Sequence, residues 1–195
     1  IVVTSFNPGS GKSFLTMNIA MSLAIKNKKV LVIDGDLRHA SASAYIHSPK
    51  IGLSNYLGGQ IDKLSDIIVT DEQHPSFSFI PVGTIPNPTE LLFDDRLQKA
   101  IHTLKQQYDV VLIDCPPVEL VADTQIIEKL ADRTVFVVRA GLLERSMLPE
   151  LENIYREKKY KNMSVILNGR KALADVWLSL RLSVWLWKRF LLWKQ

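Results

Sequence analysis

Three observations predict an open, doubly wound α/β fold built on a mostly parallel sheet. Short apolar, β-branched runs alternate along the chain with helical patterns. Two of these runs, Val30-Leu31-Val32-Ile33 and Val110-Val111-Leu112-Ile113, are apolar without interruption, as strands covered on both faces must be. The 195 residues, 47% hydrophobic and 23% charged, suffice for one well-buried domain. Such alternation implies right-handed crossovers and ligands bound beyond the carboxyl ends of the strands.

In chain order, the first strand is predicted at 1–4, on Ile1-Val2-Val3, and a helix at 13–27 follows a glycine-rich loop. A strand at 29–34 covers the first apolar run and one at 77–81 a second β-forming stretch. Asn87-Pro88-Thr89-Glu90 supplies a capping residue, proline at the first helical position and an acid at the third, so a helix starts there. In 95–107, Leu97, Ala100, Ile101 and Leu104 follow the i, i+3, i+4, i+7 spacing of one buried helix face. Strands at 109–114, 134–139 and 163–167 then alternate with helices near 123–131 and 147–159. No internal repeat is present.

The stretch from Thr4 to Ser13, Thr-Ser-Phe-Asn-Pro-Gly-Ser-Gly-Lys-Ser, joins strand to helix as a phosphate-binding loop does. Consecutive backbone N–H groups there curl round an anion at a helix N-terminus, where the dipole also favours negative charge. Gly9 and Gly11 let the backbone approach phosphates without a Cβ. Lys12, read as an exposed cation, serves the outer phosphates, and Ser13 offers a hydroxyl to Mg²⁺. Phe6 stands where the general pattern has its first glycine, and an ordinary Pro-Gly turn is the competing reading.

Two predicted strand ends carry carboxylates. Ile33 is followed by Asp34-Gly35-Asp36-Leu37-Arg38, and Ile113 by Asp114-Cys115-Pro116-Pro117. Asp114 after four apolar residues has the form of a Walker B acid that holds Mg²⁺ beside phosphates. If the backbone stays extended, Asp34 and Asp36 point the same way across the crevice. One could then complete the Mg²⁺ shell while the other accepts a proton from an attacking hydroxyl.

Three motifs make the pattern specific: Ser-x-x-Pro-Gly-x-Gly-Lys-Ser at 5–13, Leu-Val-Ile-Asp-x-Asp-x-Arg at 31–38 and Val-Leu-Ile-Asp-x-Pro-Pro at 111–117. They resemble the Walker A, A′ and B motifs of bacterial tyrosine kinases, the cytoplasmic modules of capsule and exopolysaccharide co-polymerases. Gly52-Leu53-Ser54, Pro86 to Leu92, Ala122-Asp123-Thr124-Gln125, Val137 to Gly141 and Leu167-Asn168-Gly169 extend the match over 1–169. The resemblance implies a sheet of the P-loop NTPase type, and a protein-tyrosine autokinase that uses ATP and Mg²⁺ to regulate polysaccharide polymerisation and export. By that resemblance Pro8, Gly9, Ser10, Gly11, Lys12 and Ser13 bind the nucleotide, with Asn168 beside the adenine. Ser13, Asp36 and Asp114 then serve Mg²⁺, while Lys12 and Asp34 act catalytically, Asp34 as the base toward the tyrosine hydroxyl. The implied partners are a membrane activator domain (fused upstream or separate), further copies assembled through an upstream Glu/Arg helix, and a cognate tyrosine phosphatase. The implied location is the cytoplasmic face of the inner membrane. The alternative is a non-kinase regulatory ATPase related to the partition and septum-site proteins. Their loop signature carries a second lysine where this chain has Asn7, which speaks against them.

Other features are set aside. Cys115 is the one cysteine, which excludes a disulfide framework and leaves a buried structural thiol. His39, His47, His74 and His102 lack ligand spacing and are expected to face solvent. Arg38 and Arg139 fit a phosphate contact or a plain salt bridge equally, and most of the five scattered tyrosines are expected as packing residues with the hydroxyl at the surface. Six basic residues and one acid lie beyond residue 169, so that segment accounts for the whole net charge of +4 and no nucleic-acid partner is expected. Because the sequence opens inside its first strand, a truncated start is expected. Residues 170–195 form an atypical tail holding all four tryptophans, Trp177, Trp185, Trp187 and Trp193. One reading is a basic amphipathic helix. The other is a frameshifted tyrosine cluster: one base out of step, each TGG becomes a glycine codon. Val176, Val184, Leu186 and Leu192 become tyrosine wherever their codons end in A.

Overall fold

The computed structural model describes residues 1–37, 39–46, 49–84, 91–92, 95–118 and 123–169. Arg38, His47, the helix start at 87–90 and the tail lie outside the described residues. Seven strands form one sheet: β1 (Val2–Ser5), β2 (Val30–Asp34), β3 (Val69–Thr70), β4 (Phe77–Ile80), β5 (Val110–Asp114), β6 (Thr134–Arg139) and β7 (Ser164–Asn168), in the order β3-β4-β2-β5-β1-β6-β7. Every neighbouring pair is parallel except β3 with β4. The α-helices are α1 (Lys12–Ala24), α2 (Leu53–Leu57), α3 (Asp95–Gln107), α4 (Asp123–Glu128) and α5 (Leu148–Arg156).

The uninterrupted apolar strands feed two cores, because successive side chains leave a strand on opposite faces. Leu31, Ile33, Val111 and Ile113 pack with Leu53 and Leu57 of α2, Leu97, Ile101 and Leu104 of α3 and Ile127 of α4. Val30, Val32, Leu112 and Val137 pack instead with Ala20 and Ala24 of α1. Phe136 and Val138 join Phe6, Tyr160 and Ile154 of α5 in a third cluster. Helices thus cover both faces, and α3 coincides with the predicted 95–107.

Several boundaries move. β1 runs to Ser5 rather than residue 4 because its ladder with β6 continues to Ser5 opposite Val137. α1 stops at Ala24, short of 27. Asn27 turns left-handed with φ 60, a conformation asparagine tolerates, and Lys28 N–H closes on the Leu23 carbonyl. α5 ends at Arg156 in the same way, with Lys158 at φ 52. β3 and α2 were not predicted, since elements of two and five residues are too short to show a period. Among the described residues no helix is long and apolar enough to cross a membrane.

Candidate active site

β1 delivers the chain to α1 through the loop at 6–11. Gly11 caps the helix in the left-handed region with φ 86, and Gly9 has φ 73. The hydroxyls of Ser5 and Ser10 both donate to the Asn7 carbonyl, at 2.9 and 2.8 Å. Two side chains at the ends of neighbouring strands grip the loop's outer carbonyls. Arg139 Nη1 donates to Gly9 O at 2.7 Å, and Asn168 Nδ2 to Ser10 O at 2.9 Å. The loop is therefore held in shape by the sheet it rises from.

Three carboxylates converge beside it. Asp34 and Asp114 are register partners at the ends of β2 and β5, and Asp36 lies just beyond β2. All three are buried. Asp114 Oδ2 accepts the Ser13 hydroxyl at 2.6 Å, while its Oδ1 is buried without a hydrogen-bond partner among the described residues. Asp36 Oδ2 lies 3.6 Å from Lys12 Nζ, and its Oδ1 accepts His39 N–H at 3.1 Å with His39 Nδ1 at 3.2 Å. Asp34 Oδ2 accepts both the N–H and the hydroxyl of Ser43, at 2.6 and 2.7 Å. Among the described residues its Oδ1 accepts one longer bond, 3.2 Å, from Asp36 N–H. Burial pushes Asp34 up to about 7 against the pull of the Ser43 hydroxyl, with the Asp114 charge adding to the rise. Burial likewise pushes Asp114 up to about 6, opposed by Lys12 and the Ser13 hydroxyl.

Two features fit a divalent cation bound together with a polyphosphate. Among the described residues three buried acids face one contacting lysine, an excess of negative charge that costs free energy unless it is protonated or neutralised. The orphaned Asp114 oxygen beside the Ser13 hydroxyl offers an acceptor at the helix start. Among the described residues no three or more His, Cys, Asp or Glu side chains form a metal cage.

The structure brings Pro8 to Ser13, Asp34, Asp36, Asp114 and Asn168 to one edge of the sheet. Four details add to the expectation or depart from it. Lys12 is 8% exposed, buried against Asp36 rather than standing free. Asp34 and Asp36 do not point the same way, because the strand ends at Asp34 and the chain turns: one carboxylate engages Ser43, the other Lys12. Asn168, expected beside the adenine, also gives one amide proton to Ser10 O and accepts Gly169 N–H on its Oδ1. His39, largely exposed as expected, also contacts Asp36. Ser43 escaped sequence reasoning, since nothing in Ser41-Ala42-Ser43 marks it. Arg139, expected to meet a phosphate or a salt-bridge partner, instead donates to a carbonyl of the loop. Cys115 is fully buried and its thiol is raised well above its ordinary range by burial, as a structural thiol should be.

Comparison with known proteins places this geometry. The AAA domain family matches residues 1–164. Tyrosine-protein kinase CpsD of Streptococcus agalactiae is 35% identical over 171 residues, covering 86% of this chain and 74% of that protein. The kinase domain of Escherichia coli tyrosine kinase ETK superposes with TM-score 0.78 at 31% identity, over 89% of this chain and 69% of that one. The septum site-determining protein MinD of Pyrococcus horikoshii, complexed with Mg-ADP, gives TM-score 0.71 at 26% identity, over 88% of this chain and 71% of that one. Other curated relatives are far longer: at 37% identity, the chain spans 21% and 22% of the lengths of two of them.

Proposed function

The chain belongs to the bacterial tyrosine-kinase family within the AAA domain proteins, and from that premise we propose that it is the phosphoryl-transferring domain of an ATP- and Mg²⁺-dependent protein-tyrosine autokinase. The observation that carries the proposal is the convergence of Lys12, Ser13, Asp34, Asp36 and Asp114 at the carboxyl edge of β1, β2 and β5.

Each residue has a task in this reading. The loop from Pro8 to Ser13 holds the phosphates through its backbone, and Lys12 exchanges Asp36 for the outer phosphates. Ser13 and Asp114, with Asp36 behind them, would hold Mg²⁺, which supplies charge neutralisation at the transferring phosphoryl group. Asp34 takes the proton of the tyrosine hydroxyl. Its raised proton affinity, about 7, suits a base working near neutral pH. Oδ1 is the oxygen for that task, because Oδ2 already accepts two bonds from Ser43. Arg139 and Asn168 keep the loop in register, and Asn168 keeps a second amide proton and a second lone pair with which to border the adenine.

The wider setting is also proposed: a capsule or exopolysaccharide assembly at the cytoplasmic face of the inner membrane. There the domain would meet a membrane activator domain, further copies of itself and a cognate tyrosine phosphatase. The resemblance of the three motifs supports this setting. A second reading, a regulatory ATPase that phosphorylates nothing, draws on the likeness to MinD, while Asn7 speaks against it. Phosphotyrosine detection after incubation with ATP, Mg²⁺ and an added tyrosine-cluster peptide separates the two. Phosphotyrosine supports the kinase, and ATP hydrolysis without it supports the ATPase.

A further inference from the structure

Ser43 lies nine positions past Asp34, and the fold returns it to the end of β2. It opens a single 3-10 turn, Ser43–Ile46, after a bend in which Ala40 N–H closes on the Asp36 carbonyl at 2.9 Å. From there it gives Asp34 Oδ2 both its N–H and its hydroxyl proton, at 2.6 and 2.7 Å. Its hydroxyl oxygen accepts Val82 N–H at 3.0 Å. Both residues are buried. A hydroxyl has one proton to donate, and here the accepted bond from Val82 leaves that proton for the carboxylate. Ser43 therefore ties the exits of β2 and β4 to one oxygen of one acid.

We propose that Ser43 is a positioning residue for phosphoryl transfer. By saturating Oδ2 it fixes the rotation of the Asp34 carboxylate and leaves Oδ1 for the incoming hydroxyl. The proposal rests on the reading of Asp34 as proton acceptor in the proposed kinase. Ser43 touches neither nucleotide nor acceptor in this role and acts wholly through Asp34.

The test is a double-mutant cycle on the full chain, with turnover of Mg-ATP measured separately to tyrosine peptide and to water. Ser43→Ala is expected to lower kcat by roughly 10- to 100-fold, the loss expected when a charged group forfeits a hydrogen bond. The KM for Mg-ATP should stay within about threefold. Ser43→Thr, which keeps the hydroxyl, should recover most of kcat. In an Asp34→Asn background, Ser43→Ala should cost nothing further, because coupled groups are non-additive. The same proportional loss in both backgrounds, or a loss confined to KM, would overturn the proposal. So would a Ser43→Ala protein that melts early yet keeps full kcat per folded molecule, which marks a structural serine. If the wild type passes phosphate to water and never to tyrosine, the kinase reading fails, while the cycle on hydrolysis still decides the role of Ser43.

Discussion

Replacing Gly11 by alanine strains the loop at a point where the cost can be worked out. Gly11 sits at φ 86, and a Cβ there would lie 2.3 Å from Asn168 Nδ2. An L-residue in the left-handed region costs about 1–2 kcal/mol. Asn168 must also swing away and give up its bond to Ser10 O, which costs about 0.5–1.5 kcal/mol more. The expected loss is about 1.5–3.5 kcal/mol, or about 3–14 °C in Tm at roughly 2–4 °C per kcal/mol for a chain of this size. Asn168→Ala alone, losing its bonds to Ser10 O and Gly169 N–H, should cost about 1–2 kcal/mol. Because both changes remove the same Asn168–Ser10 bond, the double variant should fall short of the sum by about 1 kcal/mol. Thermal unfolding of the four proteins by circular dichroism, without nucleotide, measures this. Additive losses, or a Gly11→Ala protein melting with the wild type, would refute the idea that Asn168 holds the loop through the space Gly11 leaves.

Lys12→Met should abolish Mg-ATP binding in titration calorimetry while the far-ultraviolet spectrum stays native; retained affinity would remove the phosphate-loop assignment. Asp34→Asn should lower turnover about 10²–10⁴-fold with little change in nucleotide affinity, whereas Asp114→Asn should weaken Mg-ATP binding itself, and steady-state kinetics beside calorimetry separates the two effects. Stability should also depend on pH. Burial raises Asp34 to about 7 and Asp114 to about 6, so between pH 4 and 7, roughly, the folded chain holds protons the unfolded chain has released. Stability without nucleotide should therefore fall as pH rises through that window, and Asp34→Asn should flatten the upper part of the fall. A Tm that rises across the same interval in EDTA buffers would contradict the raised values.

What the sequence disclosed follows the range over which each interaction acts. Contiguous signals survive reading: the apolar runs of β2 and β5, the i, i+3, i+4 face of α3, and Gly-Lys-Ser between strand and helix. The roles at the end of β2 were harder to see. Whether Asp34 and Asp36 lie together depends on where β2 stops, and the turn after Asp34 sends them to Ser43 and Lys12 instead. Ser43 and Val82 meet across 39 positions, a distance at which sequence carries no local signal. Arg139 and Asn168 reach the loop from 130 and 158 positions away. Such contacts become legible only once the strand order sets β6 and β7 beside β1.

The central claim is that this edge of the sheet moves a phosphoryl group from ATP to a tyrosine hydroxyl. The direct measurement is transfer of label from γ-labelled ATP to tyrosine in a tyrosine-cluster peptide, with Mg²⁺, by the wild-type and Lys12→Met proteins side by side. The account predicts labelled phosphotyrosine with the wild type, and none with Lys12→Met. Label appearing only as free phosphate with the wild type, or equal labelling of the peptide by both proteins, would contradict it.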